Sequence, residues 1–530
     1  MLRRRIILCL LVTAFCAAAD QPMHFDGSAW WHYVSVLADD NMEGRQTGSP
    51  GLKRAQAFVV DQLKAAGLQP AGSSGFYQPV KFIERSINEA HSSLALVRSG
   101  KPEPLALGDD AYFSTRVDLA ASVEAPLAFV GYGLSIPEKG YDDLAGQDLK
   151  GKVVVTLAGQ PAEIPGALAS HASSAGERWR ALKAAGAIGV ISIPNPANMD
   201  IPWPRMSLSR TQPSMTLADP EFDETVGEKL AITFNPEHAG KLFMGSGHTF
   251  DELLSLAKEK KPLPHFVLPV SVRARAELLK RPLECANLVA RITGADPQLK
   301  NEYVVVTAHL DHLGIGEPIN GDRIYNGAMD NASGSAALLD IAQSIAKSQD
   351  RPRRSMLFVW VTAEEKGLLG SRYFAAHPTV PKSSIAANVN MDMFLPIIPL
   401  KVLTVLGLDE SDLGDWAREV AGRQGVPVQP DPEPQRNTFI RSDQYSFIRQ
   451  GIPALHMKVG FEGADREIQQ AWLHQRYHAP SDDLNQPVDK ATAAKYEEIV
   501  RALALKIADH DARPEWKPGS FFRRFEQLAK

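Results

Sequence analysis

Two adjacent acidic residues, Glu364 and Glu365, follow directly on the apolar run 356–361. Six apolar residues, several of them β-branched or aromatic, predict a strand that is buried on both faces. Gly367 and Gly370 then interrupt the pattern shortly before a predicted helix. The pair therefore lies at the carboxyl end of a core strand, which is where ligands bind in open α/β sheets. Neighbouring carboxylates repel each other, so the pair predicts either a cation between them or one protonated carboxyl. A solvated acidic loop is the alternative.

Four further residues offer metal-ligand atoms at comparable positions. They are His309 at the end of strand 303–307, Asp330 in a glycine-flanked loop before helix 335–346, Asp392 at the end of strand 385–391, and His478 in a polar loop. Each one alone has a simpler explanation, because an isolated histidine is usually a satisfied surface or core residue and Asp330 would suit a helix cap. Together with Glu365 they provide two imidazoles and three carboxylates, nearly all at strand ends on one edge.

This donor set predicts a site for two metal ions. Nitrogen and oxygen donors suit zinc or another divalent first-row metal. Five ligands exceed the number that one tetrahedral zinc takes, but they fit two ions ~3.5–4 Å apart that share a bridging carboxylate and a water. The two-metal interpretation also separates the roles of the acidic pair, because Glu365 can bind metal while Glu364 remains free as a base.

The elements that position these residues indicate an α/β domain. After Pro264, strands alternate with helices, and two more strands are predicted at 401–406 and 453–459. This alternation predicts a mixed, mostly parallel sheet flanked by helices. The terminal helix is predicted from one apolar face, formed by Tyr496, Ile499, Val500, Leu503 and Ile507. Near the N-terminus, a helix is predicted between the cap Ser49 and the terminating Gly67.

Residues 111–265 form a region of different character. Proline-rich turns surround its predicted elements, which are strands at 126–130, 152–157 and 188–193 and a helix at 178–186. The region predicts a separate β-rich domain of about 150 residues, a size that supports its own core. Because no histidine in it clusters with carboxylates, we expect it to shape substrate access and to supply no catalytic group.

Residues 1–19 have the pattern of a secretory signal peptide. Three arginines precede a short apolar run, and an Ala-x-Ala end predicts cleavage after Ala19. Phe15 is too bulky to precede a lipidated Cys16. No later stretch is long and apolar enough to span a bilayer, so we expect an exported mature protein, periplasmic or secreted, with no membrane association after cleavage. Cys285 would then be the remaining cysteine, which leaves no internal disulfide.

Charge and length restrict the partners and the domain count. The chain has 57 basic and 62 acidic residues and a formal net charge of −5. This balance argues against nucleic acid or an anionic membrane as a partner. The length of 530 residues favours two or more domains. No feature of the sequence indicates an oligomeric state.

Several motifs in order make the chain similar to a known family. They are AHLDHLG (308–314), NGAMDNASG (326–334), TAEEKGLLGS (362–371), NMDM (390–393), RSDQYSF (441–447) with GIPA (451–454), YHAPSDD (477–483), and, upstream, DNMEGRQTGSPG (40–51), GYG (131–133) and YDDLAGQDLKGKVVV (141–155). With these motifs the sequence resembles the M28 (clan MH) co-catalytic zinc peptidases, specifically the bacterial aminopeptidases with an inserted protease-associated (PA) domain. The resemblance covers nearly the whole chain after the signal. It implies a zinc-peptidase/phosphorylase-like fold with residues 20–110 and 266–530 in the peptidase domain and 111–265 as the PA insertion.

The resemblance also implies a role for each candidate residue. It implies two Zn²⁺ per chain, with His309 and Asp392 on one ion, Glu365 and His478 on the other, and Asp330 as the bridge. By the same resemblance, Glu364 is the general base and the Asp311 carboxylate orients His309. The resemblance also implies that Tyr477 polarises the scissile carbonyl and that Arg441 contacts the substrate. Gln444 stands where the family usually has histidine, so a role for that position is not implied. His312 has no ligand role in the pattern.

The activity that the resemblance implies is the removal of N-terminal residues from peptides. Two other chemistries on the same fold remain open: a carboxypeptidase, and a single-zinc enzyme like glutaminyl cyclase. A receptor-like binding protein that has lost its metal ligands is disfavoured, because all five ligands and Glu364 are present. An acidic pocket beside the metals would accept a substrate ammonium group, whereas a free carboxylate would need a cationic clamp.

Overall fold

The computed structural model describes residues 25–349 and 351–529, so the predicted signal peptide lies outside the described residues. Within that part of the chain no helix is both long and apolar enough to cross a membrane. Its strands are β1 (Gln69–Pro70), β2 (Tyr77–Ile87), β3 (Ser93–Arg98), β4 (Lys101–Leu105), β5 (Ala111–Phe113), β6 (Ser122–Val130), β7 (Ser135–Ile136), β8 (Tyr141–Asp142), β9 (Val153–Leu157), β10 (Gly189–Ile193), β11 (Ser214–Leu217), β12 (Leu230–Phe234), β13 (His265–Arg275), β14 (Leu278–Ile292), β15 (Tyr303–His309), β16 (Gly314–Ile319), β17 (Asp322–Tyr325), β18 (Ser355–Val361), β19 (Ile385–Asn390), β20 (Leu403–Leu406), β21 (Val428–Gln429) and β22 (Ala454–Val459).

The α-helices lie mainly in the first and last parts of the chain. They are α1 (Ser28–Leu37), α2 (Pro50–Ala65), α3 (Gly166–Ser173), α4 (Ala175–Ala184), α5 (Trp203–Met206), α6 (Gly240–Phe243), α7 (Phe250–Lys258), α8 (Ser333–Lys347), α9 (Leu369–Ala376), α10 (Asp412–Arg423), α11 (Gln444–Arg449), α12 (Asp465–Arg476) and α13 (Lys490–Asp509). The predicted N-terminal helix is confirmed as α2. The Ser49 side chain accepts a hydrogen bond from the Leu52 amide, as expected of a cap.

The larger sheet has the order β11-β2-β14-β18-β15-β19-β22-β20-β21, with β1 beside β14. Its four central strands, β18, β15, β19 and β22, run parallel to one another. The prediction of a mixed α/β sheet is confirmed, but the expectation that it is mostly parallel is wrong. Four strand pairings are parallel and five are antiparallel. The antiparallel pairs lie at the flanks, where no crossover helix is needed to return the chain.

Helices cover both faces of the central strands, and alternate side chains therefore enter two cores. Along β18 the two sets are Met356, Phe358 and Trp360 on one face, and Leu357, Val359 and Val361 on the other. The first core also contains side chains of α1, α2, α8 and α13, and the second contains side chains of α9 and α11. Each large apolar side chain buried in this way contributes about 1.5–3 kcal/mol. The continuous apolar run that the sequence shows is therefore explained by burial on both faces.

A second sheet has the order β4-β3-β13-β6-β9-β10-β12-β5 and a core of its own. The predicted strands at 126–130, 152–157 and 188–193 are confirmed as β6, β9 and β10, and the predicted helix as α4. The sheet extends beyond the predicted region 111–265, because it includes β3, β4 and β13. Prolines in β4 obscured that strand in the sequence, and they are tolerated there because β4 lies at the sheet edge. Conversely, β11 leaves this region and pairs with β2 of the larger sheet.

In the second-sheet region, which is the segment from β3 to β13, one histidine lies near two carboxylates that precede the predicted boundary at residue 111. Asp109, Asp110 and His238 place ligand atoms close together. However, Lys241 Nζ lies 2.5 Å from Asp110 Oδ1, and the Asp110 side chain also accepts a hydrogen bond from the Ala106 amide. The ammonium group already compensates the buried carboxylate, so the cluster is explained as an ion pair.

The close packing of α9 against the end of β18 leads to a stability prediction. A Cβ at Gly370 would lie 2.1 Å from the carbonyl oxygen of Thr362, which is backbone and cannot move aside freely. We expect Gly370→Ala to lower the free energy of unfolding by about 1–3 kcal/mol, measured by urea denaturation. Gly422→Ala in α10 is the control, because nothing lies within 4 Å of the added methyl group. The control should raise stability slightly, by up to ~1 kcal/mol. Equal stability of both variants would contradict this account of the packing.

Candidate metal centre

Three parallel strands end at the same edge of the larger sheet and deliver the candidate ligands there. His309 is the last residue of β15 and pairs in register with Val361 at the end of β18. Three residues after β18 comes Glu364, and two residues after β19 comes Asp392. Parallel pairing brings carboxyl ends to one edge, so these side chains converge as the sequence predicts.

Asp330 lies at the centre of the group and faces two sets of donors. Its Oδ1 is 3.3 Å from His309 Nε2, which is 3.2 Å from Asp392 Oδ1. Its Oδ2 is 3.2 Å from His478 Nε2, which in turn is 3.2 Å from Glu365 Oε2. Each oxygen of one carboxylate thus belongs to a different imidazole–carboxylate pair. All five predicted ligands are brought together by the structure.

The charges of this group are mutually dependent. Burial alone would lower the pKa of His478, but Glu365 and Asp330 outweigh it and raise the pKa to about 9. For Asp330, burial and the Glu365 charge act to raise the pKa, and hydrogen bonds from His309 and His478 lower it to about 2. Buried carboxylates are stable only when cations or hydrogen bonds compensate them. Two groups, His309 with Asp330 and Asp392, and His312 with Asp330 and Glu365, bring imidazole nitrogens and carboxylate oxygens close enough together to hold a metal ion, and such donors fit zinc.

Glu364 and Glu365 differ sharply although they are neighbours. The Glu365 side chain is 5% exposed and contacts two histidines. In the described part of the chain, the Glu364 carboxylate forms no hydrogen bond or ion pair, while its backbone N–H donates to Asp311 Oδ1 at 3.2 Å. Burial raises the pKa of Glu364 well above its usual value, His309 opposes this, and the charge of Asp392 adds to it. Burial therefore favours the neutral form of this carboxyl group.

The structure differs from expectation in how Asp311 acts on His309. His309 Nδ1 lies 3.0 Å from the backbone carbonyl oxygen of Asp311, and the Asp311 carboxylate is directed elsewhere. That carboxylate accepts hydrogen bonds from the Glu364 amide and from Thr47 Oγ1. The reason is the short spacing, since a residue two positions after the histidine presents its carbonyl to the ring. Asp311 therefore holds both His309 and the backbone of Glu364.

His312 enters the site, although the sequence analysis gave it no ligand role. Its Nδ1 lies 2.7 Å from Glu365 Oε1 and 3.9 Å from Asp330 Oδ2. The imidazole is fully buried, and its ring lies 5.9 Å from that of His478. Because His478 faces the other oxygen of Glu365, His312 is placed to fix the orientation of that carboxylate. In the sequence, the available signal for this role was the position of His312 directly after Asp311.

Two buried residues that the sequence analysis left unassigned hold the loop of Asp330. Asp482 accepts hydrogen bonds from the backbone amides of Met329 and Asp330, at 2.9 Å and 3.0 Å. Arg45 donates to the carbonyl oxygens of Leu310, Asn326 and Gly327, so it joins the His309 and Asp330 loops.

The surroundings of Arg45 explain its place in the structure. Burial lowers the pKa of Arg45 to about 10 against the opposing charges of nearby carboxylates, and the guanidinium stays protonated at neutral pH. The polar loop 39–45, which composition left uninterpreted, thus supports the centre.

Tyr477 and Arg441 lie beside the centre and contact each other. Arg441 Nη2 donates to the Tyr477 hydroxyl oxygen at 3.2 Å. The rings of Tyr477 and His478 are 3.9 Å apart. Gln444 is buried behind them, where its amide donates to the Phe439 carbonyl oxygen and its Oε1 accepts from Asn390. Gln444 therefore anchors the segment that carries Arg441, a packing role that needs no histidine.

Two cavities open beside the centre, and His478 lines both of them. One has a volume of about 370 Å³ and reaches Glu365, Arg116 and Arg205. The other, of about 350 Å³, is lined by Tyr477, Arg441 and Asp200. Residues of the second-sheet region line both cavities, so that region borders the access to the centre.

Known proteins match the part of the chain that carries this centre. Residues 287–504 match the model of Peptidase family M28. Leupeptin-inactivating enzyme 1 of Streptomyces exfoliatus is 28% identical over 226 residues, which are 41% of this chain and 47% of that protein. An aminopeptidase of Pseudomonas aeruginosa (strain UCBPP-PA14) is 36% identical over 118 residues, which are 22% of this chain and 19% of that protein. The chain thus spans half or less of the length of these curated relatives.

A solved structure is similar over nearly the whole chain. The aminopeptidase from Aneurinibacillus sp. strain AM-1 superposes with a TM-score of 0.55 at 19% identity, covering 93% of this chain and 95% of that one. At this identity the match shows the fold. The family match thus lies within residues 287–504, and the solved structure adds the shared fold.

The hydrogen bonds of Asp482 predict a loss of metal affinity on its removal. Asp482→Asn should weaken zinc binding about 10–100-fold, because the amide group replaces one acceptor of the two backbone N–H groups that fix Asp330. Asp483→Asn is the matched control, since the Asp483 carboxylate accepts hydrogen bonds from Asn485 in the same exposed turn. Zinc affinity is measured by competition with a chromogenic chelator. If both variants bind zinc equally well, Asp482 has no influence on the centre.

Proposed function

We propose that this protein is a two-zinc aminopeptidase in which Glu364 is the general base. The observation that carries the proposal is the position of Asp330, whose two oxygens face the pair His309 and Asp392 and the pair His478 and Glu365. Two zinc ions would be held there, with Asp330 as the shared ligand. When bound, they would lower the pKa of a shared water and polarise the peptide carbonyl.

Glu364 would move the protons of the reaction. Its carboxylate is free of partners in the described structure and lies next in sequence to a candidate ligand. It would accept a proton from the attacking water and pass it to the nitrogen of the leaving amine. His312 and Asp311 would maintain its setting, the first through Glu365 and the second through the Glu364 backbone.

Tyr477 would stabilise the developing oxyanion. Because Arg441 donates to its oxygen, the single hydroxyl hydrogen remains available for the substrate carbonyl. A donor placed in this way is strongest when charge develops on the carbonyl oxygen.

The acidic surroundings favour cleavage at the amino end of a peptide. The carboxylates beside the centre would attract a substrate ammonium group, and Arg441 is already paired with Asp200.

One observation favours the carboxypeptidase alternative. Arg116 is exposed and lines the 370 Å³ cavity, where it donates a hydrogen bond to the backbone carbonyl oxygen of Glu365. Its guanidinium group could therefore bind a substrate carboxylate there.

The domain organisation and the cellular compartment of the protein belong to the same proposal. The second-sheet region, predicted as 111–265, would be a PA insertion that borders the substrate path. Residues 1–19 would direct export to the periplasm or the medium. Peptides would be the substrates, with no nucleic acid or membrane partner.

Substitution of the two glutamates separates their roles. Glu364→Gln should keep two zinc ions and the fold while kcat falls roughly 10²–10⁴-fold, the usual contribution of a general base. Glu365→Gln, the matched change one residue on, should weaken or abolish the binding of one zinc, because it removes a charged ligand. Elemental analysis and kcat are measured on both. Loss of zinc in Glu364→Gln with near-normal turnover would mean that the roles are reversed.

The choice of peptide end is tested with blocked substrates. Leu-p-nitroanilide should be hydrolysed and its N-acetyl form should not, because acetylation removes the ammonium group. Chelator should abolish turnover and zinc should restore it. Rapid cleavage of the acetylated compound, or a requirement for a free C-terminus in peptides, would favour the carboxypeptidase through Arg116.

A further inference from the structure

The second-sheet region contributes a carboxylate that contacts Arg441 beside the centre. Asp200 lies in the loop before α5, and its side chain is 9% exposed. Its Oδ2 lies 2.6 Å from Arg441 Nη1, and its Oδ1 lies 2.7 Å from Arg436. Residues 111–265 are expected to supply no catalytic group, and Asp200 is one of their residues that reaches Arg441.

A continuous chain of hydrogen bonds connects Asp200 to the candidate oxyanion donor. Asp200 accepts from one terminal nitrogen of Arg441, and the other terminal nitrogen donates to the Tyr477 hydroxyl oxygen. A guanidinium group has donors and no acceptor. Tyr477 can therefore only accept from Arg441, and its own hydrogen is left to point away from the arginine.

The arrangement holds Arg441 from two directions. A free arginine side chain has many rotamers, and fixing it at one end by a charged hydrogen bond restricts the other end. Arg436 shares Asp200 and is itself paired with Glu433, so the carboxylate is held in turn. Burial alone would raise the pKa of Asp200, but Arg441 and Arg436 outweigh it and lower the pKa, so Asp200 is ionised at neutral pH.

We infer that Asp200 is a positioning residue for the reaction: through Arg441 it directs the Tyr477 hydroxyl towards the substrate carbonyl. This inference rests on the proposed aminopeptidase function. It makes the second-sheet region a part of the active centre as well as a border of the substrate path. A peptidase domain without this region would keep its metal ligands but lose the restraint on Tyr477.

The test compares Asp200→Asn with a matched control elsewhere between the two sheets. Glu224 also belongs to the second-sheet region and also pairs with two arginines, Arg372 and Arg449, of the larger domain. Glu224→Gln removes a comparable carboxylate without contact to Tyr477. Asp200→Asn should lower kcat for Leu-p-nitroanilide about 10–100-fold, with zinc content unchanged, whereas Glu224→Gln should leave kcat within about twofold. Asp200→Glu should recover part of the loss.

A double-mutant cycle separates positioning from a general structural effect. If Asp200 acts through Tyr477, Asp200→Asn should have little further effect on kcat in a Tyr477→Phe background. Full additivity of the two losses, or equal losses in Asp200→Asn and Glu224→Gln, would overturn the inference while the aminopeptidase function stands. An inactive zinc-loaded wild-type protein would instead contradict the proposed function, and this inference with it.

Discussion

The sharing of one carboxylate between two imidazoles is the interaction on which the centre depends. Asp330 is buried, and each of its oxygens lies within 3.3 Å of a different histidine nitrogen. A buried charge of this kind is tolerated only when its surroundings compensate it. The remaining candidate ligands also contact those histidines: Asp392 lies 3.2 Å from His309 Nε2, and Glu365 lies 3.2 Å from His478 Nε2. This arrangement around Asp330 is the basis of the two-metal proposal.

The fold serves this carboxylate by fixing the loops around it. Parallel strands β15, β18 and β19 end at one edge and fix His309, Glu365 and Asp392 to a rigid core. Asp330 and His478 lie on loops, and loops need additional support. Asp482 and Arg45 provide it through backbone hydrogen bonds, and both are buried. Removing either would therefore disturb the centre without touching a ligand.

The sequence predicted what depends on local pattern and missed what depends on distant contacts. The strand at 356–361 and the helix behind Ser49 are confirmed because burial and capping are visible in short windows. The alternation of strands and helices predicted a mostly parallel sheet. That expectation failed because antiparallel pairs such as β2 with β14 join segments about 200 residues apart, which local pattern does not show. Pattern also could not show that Arg45 spans two ligand loops, that His312 turns towards Glu365, or that Asp200 reaches Arg441. Each of these depends on side-chain direction across elements that only the folded chain brings together.

The central claim is that two metal ions bind at the centre, one on each side of Asp330. Anomalous diffraction at the zinc edge, from crystals of the zinc-loaded protein, tests it most directly. The account predicts two peaks ~3.5–4 Å apart, one beside His309 and Asp392 and the other beside Glu365 and His478. A single peak, or a second peak remote from the Asp330 carboxylate, would contradict it.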